Sequence, residues 1–289
     1  MQSCGFARHL WRTGVGLLTV FTLARAEDAA RRGVWISRAE LAAMPMTGPA
    51  WEQLKAHAEK PAGRPRLSDQ DQRNNVLVLA QALVFARAGG ERFRAEVRRQ
   101  CLAAIGTERG GRTLALGREL AAYVIAADLV GLEPEENRRF SEWLRRCLDE
   151  KLVGKTLRST HEQRPNNWGT HAGASRAAVA AYLGDRAELD RTAHVFRGWL
   201  GEREAYAGFQ FGKDLSWHAD PSRPLGINPR GATRRGQSID GVIPDDMRRG
   251  GSFRFPLGRT NYPWGALEGA VVMAEVLRRQ GYDAWSWGD

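Results

Sequence analysis

Cysteine is scarce in this chain, with three residues among 289, and none of the three lies in a CxxC or Cys/His pattern. A disulfide-framed mini-protein and a structural zinc site are therefore both excluded as organising principles. Lysine is nearly absent: five of the 43 basic residues are Lys (55, 60, 151, 155 and 213) and the other 38 are Arg. Guanidinium groups favour bidentate contacts with carboxylate or phosphate. Alternating β-branched runs are missing, as are Asn-Gly or Asp-Gly turns between apolar strands, which argues against a β-sandwich or barrel. With 43% hydrophobic and 26% charged residues, the composition is that of a globular chain, not a disordered or collagenous one.

The first 26 residues are expected to leave. Arg8 and Arg12 stand in an acid-free opening segment, a ten-residue mainly apolar run follows from Val15 to Ala24, and Ala24-Arg25-Ala26 reads as a cleavage site. Ten residues are too few to cross a bilayer, which needs about 20. The expectation is a periplasmic or secreted protein without a membrane anchor, comprising a single domain over residues 27–289. The formal charge falls from +10 to +7 once Arg8, Arg12 and Arg25 leave. The export signal and the absence of a basic stripe on one helix argue against a nucleic-acid partner. Cys4 departs with the leader. Cys101 and Cys147 remain, in apolar helical contexts that allow either a disulfide or two buried thiols.

From about residue 50 to 205 the chain reads as successive helices with short, often Gly-containing connections. Ser68-Asp69 looks like an N-cap for a helix through Val76–Ala86 that stops at Gly89-Gly90. Further helices are expected over 92–105, 113–129, 134–152, 168–183 and 187–203, with a last one over 263–280. Several are apolar on two sides, as in 114–129, which suits a layered helical barrel. The fold class is all-α, as antiparallel helix hairpins. Between Gly208 and Tyr262 the pattern breaks: nine Gly and five Pro occur in 55 residues. This stretch is rich in Arg and contains Phe209, Phe211, Trp217, Phe253 and Phe255. It reads as substrate-covering loops and short strands, whose aromatic faces would stack on sugar rings while guanidinium groups hold acidic substituents.

Two segments carry candidate chemistry. In Arg164-Pro165-Asn166-Asn167-Trp168-Gly169-Thr170-His171, Asn167 sits near a helix start and His171 one turn later on a similar face. An amide and an imidazole would then share one space; the bland alternative makes Asn167 a cap and His171 a core residue. The second segment runs from Asp240-Gly241-Val242-Ile243-Pro244 through Arg248-Arg249-Gly250 to Tyr262-Pro263-Trp264-Gly265-Ala266-Leu267-Glu268. Tyr262 there meets the start of the last helix.

Together with the Leu41–Trp51 run and Arg112–Leu120, these segments resemble the alginate lyase superfamily of polysaccharide lyases. The resemblance implies an (α/α) toroid, here with a long loop before the last helix, and β-elimination on uronic-acid polymers. It implies that Asn167, with Asn166 as the alternative, neutralises the substrate carboxylate, that His171 is the catalytic histidine, that Arg249 is the partner arginine and that Tyr262 is the catalytic tyrosine. The pattern departs from the best-known branch in two ways. Trp168 stands where histidine follows the asparagine pair, and the gap from Arg249 to Tyr262 is longer, leaving Arg254 and Arg259 as competitors. Arg118, Asn166, Trp168, Trp217, Arg254 and Arg259 are candidate substrate contacts. Many relatives continue past the last helix, so a shortened, incomplete toroid is also implied.

The residue types suit the reaction. An ionised uronate carboxylate resists loss of the C5 proton unless amide, imidazolium or guanidinium groups stabilise the enolate. Tyrosine, with a free pKa of about 10, needs nearby cations such as Arg249 and His171 to act as a base. Tyr262 could serve as both base and acid, or His171 as base and Tyr262 as acid. The scheme needs no metal or cofactor, and its partner is an acidic polysaccharide, alginate first and glucuronan second, acted on by a monomer. An inverting glycoside hydrolase using acids among Asp240, Asp245, Asp246 and Glu268, and a non-catalytic polysaccharide-binding or export protein, are the competing readings.

Overall fold

The computed structural model describes residues 32–288, so the expected leader at 1–26 lies outside the described residues. Among these residues there are eleven α-helices and one two-residue hairpin. The helices are α1 (Arg38–Ala43), α2 (Pro49–Ala58), α3 (Asn74–Ala88), α4 (Glu91–Ala104), α5 (Thr113–Val130), α6 (Pro134–Asp149), α7 (Leu157–Gln163), α8 (Asn167–Leu183), α9 (Arg186–Trp199), α10 (Pro244–Met247) and α11 (Tyr262–Arg279). The hairpin pairs β1 (Thr233–Arg234) with β2 (Gln237–Ser238). The all-α expectation is met, and the six expected helices after residue 90 appear with their ends at most four residues from those expected. Ser68-Asp69 does not cap α3, which begins at Asn74 after Arg73. The intervening residues form turns in which Asp69 accepts a hydrogen bond from the Asp71 N–H.

Two layers follow from the burial patterns. The inner row runs α3, α5, α8, α11, each helix packed on the next, and α2, α4, α7 and α9 lie against it from outside. Outer helices are one-sided. On α6, Pro134 opens the helix, Glu133 and Glu136 form reciprocal cap bonds, and Phe140, Trp143, Leu144, Cys147 and Leu148 bury one stripe under a charged face. The two central inner helices are buried almost all round, α5 over 15 of its 18 residues and α8 over 12 of its 17. Cys101 and Cys147 are both buried free thiols. None of the described helices is long and apolar enough to cross a membrane.

The inner row is held unusually close around α8, whose buried face is Gly, Ala, Ser and Thr over much of its length. A Cβ at Gly117 of α5 would fall 2.9 Å from the Ala172 nitrogen, and one at Gly269 of α11 would fall 2.6 Å from the His171 nitrogen. Ser175 bridges the first contact, donating to the Gly117 carbonyl at 2.7 Å and accepting from the Ala121 N–H at 3.1 Å. On the outer side, fully buried Arg176 is paired with Glu188 of α9 and Glu162 of α7.

Gly269→Ala tests this clamp. Alanine gains about 1 kcal/mol of helix propensity, but its methyl meets backbone that cannot rotate away, and overpacking typically costs about 1–3 kcal/mol. The net expectation is a destabilised protein, read as a lower Tm and denaturation midpoint; an unchanged or raised midpoint would show that α11 and α8 are free to separate.

Candidate active site

All four inner helices start at the same groove. Asn75, Val76 and Leu77 of α3, Leu114 and Arg118 of α5, Asn167, Trp168 and His171 of α8, and Tyr262, Trp264, Gly265 and Glu268 of α11 line it. Every one of these residues lies in the first two turns of its helix. The positive ends of four helix dipoles therefore border one groove, which makes it favourable to negative charge.

The part of the groove between α5, α8 and α11 is a cleft of about 550 Å³ lined by Asn167, Trp168, His171, Arg118, Arg249 and Tyr262, among others. Side chains expected to act together do converge here. A methyl group on Gly265 would lie 3.9 Å from His171 Nε2 and 4.0 Å from Asn167 Nδ2, so both nitrogens border one point in the cleft. Glycine at 265 keeps that point open. Across it, Arg249 Nη2 donates to Tyr262 Oη at 3.1 Å, with the guanidinium carbon 4.3 Å from the centre of the phenol ring. Arg249, exposed and ahead of Arg254 and Arg259, is thus the arginine that partners Tyr262.

The Asn166-Asn167 pair divides its labour. Asn166 is the N-cap of α8: its Oδ1 accepts from the Trp168 N–H at 3.1 Å and its Nδ2 donates to Asp245 Oδ2 at 2.8 Å. Only 6% exposed and bonded at both ends, it is not presented to a substrate as the sequence suggested. Asn167 is left with its side chain on the cleft while its backbone N–H donates to Asp246 Oδ2 at 3.0 Å.

The two aspartates explain how a loop more than 70 residues away is brought to α8. Both are buried, at 2% and 1% exposure. Burial opposes ionisation of Asp245, but hydrogen bonds from Arg248 and the Gly212 N–H outweigh it and hold its carboxyl below the usual range. For Asp246, burial first and the charge of Asp245 second push the pKa up to about 8. The Asp245 carboxylate anchors the turn, the Asp246 carboxyl accepts from the first N–H of α8, and Arg249 is carried in behind them. Asp240 is spent in the same loop, accepting from the Gly231 N–H at 2.9 Å. Of the four acids considered for a hydrolase, only Glu268 faces the cleft.

His171 differs from expectation in charge. Burial, and then the positive charge of Arg118, lower its pKa to about 4, so at neutral pH it is an uncharged imidazole and not one of the cations beside Tyr262. Those cations are guanidinium groups. The long loop also departs from the expected sugar-stacking platform. Trp217 is 1% exposed, donates its indole N–H to the Gly251 carbonyl at 2.7 Å and meets Phe253 edge-on. Phe209 packs on Tyr206 and Phe211, and Phe211 on His218. These rings form the loop's own core, which a stretch so poor in helix and strand needs. Arg254 turns back to the Gly250 carbonyl, and neither it nor Arg259 lines the described cleft.

Sequence reasoning passed over Gln70, Arg112 and Trp264 as cleft residues and weighed Glu268 only as a hydrolase acid. Trp264 was the most legible of them: a 73% exposed indole two residues after Tyr262 on a helix whose other side is buried. The family described as alginate lyase matches residues 102–211, a span holding α5–α9 and thus Arg118, Asn167 and His171 but not Arg249 or Tyr262. No curated protein and no solved structure matches the chain.

The Asp246 contact predicts a pH signature. A carboxyl whose folded pKa of about 8 exceeds its unfolded value of about 3.9 binds its proton more tightly when folded, so stability falls as pH rises across that interval. Asp246→Asn keeps an acceptor for the Asn167 N–H and cannot ionise. Its Tm should fall less between pH 4 and 8 than that of the wild type, and at pH 8 should equal or exceed it. A parallel or steeper decline in thermal melts would refute the buried, protonated state.

Proposed function

We propose that this chain, whose residues 102–211 match the alginate lyase family, is a polysaccharide lyase that cleaves an acidic polyuronate by β-elimination, with alginate or polymannuronate the first substrate and glucuronan the second. The observation that carries the reading is the meeting of Asn167, His171, Arg249 and Tyr262 at one cleft bordered by the starts of three helices. An anionic ring suits that environment, and the expected +7 charge of the processed chain suits a polyanion.

In the proposed reaction the uronate carboxylate lies against Asn167 Nδ2 and the Nε2–H of neutral His171. These donors stabilise the second negative charge that develops on the carboxylate as the C5 proton leaves. Tyr262 Oη takes that proton. Arg249, already bonded to this oxygen, stabilises the phenolate that a base needs. The C4–O bond then breaks, and the same hydroxyl returns the proton to the departing oxygen when both lie on one face of the ring. If they lie on opposite faces, His171 in its other tautomer, with Nε2 unprotonated and no longer donating to the carboxylate, accepts the proton and Tyr262 acts as the acid. Trp168 and Trp264 offer apolar faces at the cleft for the sugar rings, and Arg118 adds a cation. With the leader expected at 1–26, the site of action is periplasmic or extracellular.

Ultraviolet absorbance during incubation with alginate blocks and glucuronan is the direct test, because elimination leaves a C4–C5 double bond conjugated to the carboxylate and hydrolysis does not. A rise on one polymer is expected. New reducing ends without absorbance would mean a hydrolase, and binding without either would mean a non-catalytic polysaccharide binder. Tyr262→Phe should lower kcat by about 10²–10⁴-fold, the range of general acid–base catalysis, while polymer binding changes little. Asn167→Ala should lower kcat by about 10²–10³-fold, as for loss of one enolate-stabilising donor. Near-normal turnover in the tyrosine variant would reject the assigned chemistry, and in the asparagine variant would reduce Asn167 to a structural residue.

A further inference from the structure

Beside the cleft the groove widens into a second hollow of about 610 Å³, which shares Gln70, Arg118, His171 and Glu268 with it. Its lining includes three cations from three separate segments: Lys60 after α2, Arg73 before α3 and Arg118 on α5. Glu119 also lines it, although only 2% of that residue is exposed. Its Oε2 is sealed from solvent and has no hydrogen-bond partner among the described residues. A buried carboxyl left in this state is unusual, because an unmade hydrogen bond there costs about 1–3 kcal/mol. Burial raises its pKa to about 8 against the opposing pull of Arg118, with Asp69 adding to the rise. The group in the hollow is therefore a carboxylic acid at neutral pH, with a proton to donate.

We propose that this hollow holds a neighbouring uronate ring of the bound polymer, and that Glu119 donates its carboxyl proton from Oε1, the oxygen that is not sealed, in a hydrogen bond to the carboxylate of that ring. The proposal rests on the reading of the adjoining cleft as a polyuronate site. A neutral acid beside Lys60, Arg73 and Arg118 matches an anionic ring substituent: the cations attract it, and the acid supplies a directed donor without adding a repelling charge. Ionised Glu119 would do the reverse, so affinity declines as the carboxyl loses its proton. His57, Lys60, Asp69, Asp71, Arg73, Arg118, Tyr123, His171 and Glu268 face or flank it from the surrounding segments. All remain in a Glu119→Gln variant, so the difference between the two pH profiles isolates one carboxyl.

The test is calorimetric binding of a mannuronate hexamer, with Tyr262→Phe as the common background so that the ligand is not consumed. Glu119→Leu is expected to weaken hexamer binding about tenfold at pH 7, the scale of one hydrogen bond to a charged acceptor. Glu119→Gln, which keeps a neutral donor, should stay within about threefold of the parent and lose the parent's decline in affinity above pH 8. Should Glu119→Leu fail to fold, the Glu119→Gln profile decides alone. Leu-variant binding within twofold of the parent, a decline above pH 8 that persists in Glu119→Gln, or no hexamer binding by the parent would each overturn the proposal. The two readings fail separately. Glu119-dependent binding without unsaturated product from the wild type removes the lyase and keeps the hollow, whereas elimination with Glu119-independent binding removes the hollow and keeps the lyase.

Discussion

The close approach of α5 and α11 to the backbone of α8 is the constraint on which the rest of the molecule depends. Gly117 and Gly269 press on the main chain of α8 at Ala172 and His171 from two sides, at distances no side chain allows. That contact fixes the rotation and height of three inner helices relative to one another. It also places their first turns side by side, so that Arg118, Asn167, His171 and Tyr262 emerge at one groove. The site is thus a consequence of how small the residues are on the helix that carries it. Packing at this density leaves little room for compensation, which ties the geometry of the cleft directly to the stability of the core.

A second device completes the site. The stretch between α9 and α11 has almost no regular structure, yet it must hold Arg249 against Tyr262. It does so with a core of its own rings, from Tyr206 to His218 and from Trp217 to Phe255, and with the Asp245-Asp246 clasp on the start of α8. Asp245 is ionised and bonded to Arg248, whereas its neighbour keeps its proton. Two adjacent buried acids in different protonation states follow from ordinary electrostatics: the first to ionise, favoured by the guanidinium, raises the pKa of the second.

The electrostatics of the groove join these parts. Cationic character comes from Arg118, Arg249 and four helix N-termini, while the titratable groups deepest in it, His171 and Glu119, are both held uncharged by burial. A polyanion would meet fixed positive potential at the rim and neutral donors at the floor. Neutral donors would not compete with one another for the charge that develops in the proposed elimination, and they need no counter-ion when the site is empty.

Much of this was legible in the residues themselves. Helical periodicity between 91 and 203, the Pro and Gly boundaries and the absence of strand alternation lead to an all-α fold, because local spacing decides which side of a helix can be buried. The order of the Asn-Asn-Trp-Gly-x-His and Asp-Gly…Arg-Gly…Tyr segments carried the resemblance to the alginate lyase superfamily, and that resemblance pointed to Asn167, His171, Arg249 and Tyr262. Tertiary structure decided the remainder. Asn166 and Asn167 are equivalent on paper, and only the arrival of Asp245 makes one a cap and leaves the other for the cleft. Trp217 and Trp264 are both aromatic residues in Gly-rich surroundings, but the fold buries the first and exposes the second. The charge of His171 and the proton on Glu119 are properties of depth and neighbours, which a linear sequence does not contain: burial and through-space charge depend on contacts between segments far apart in the chain.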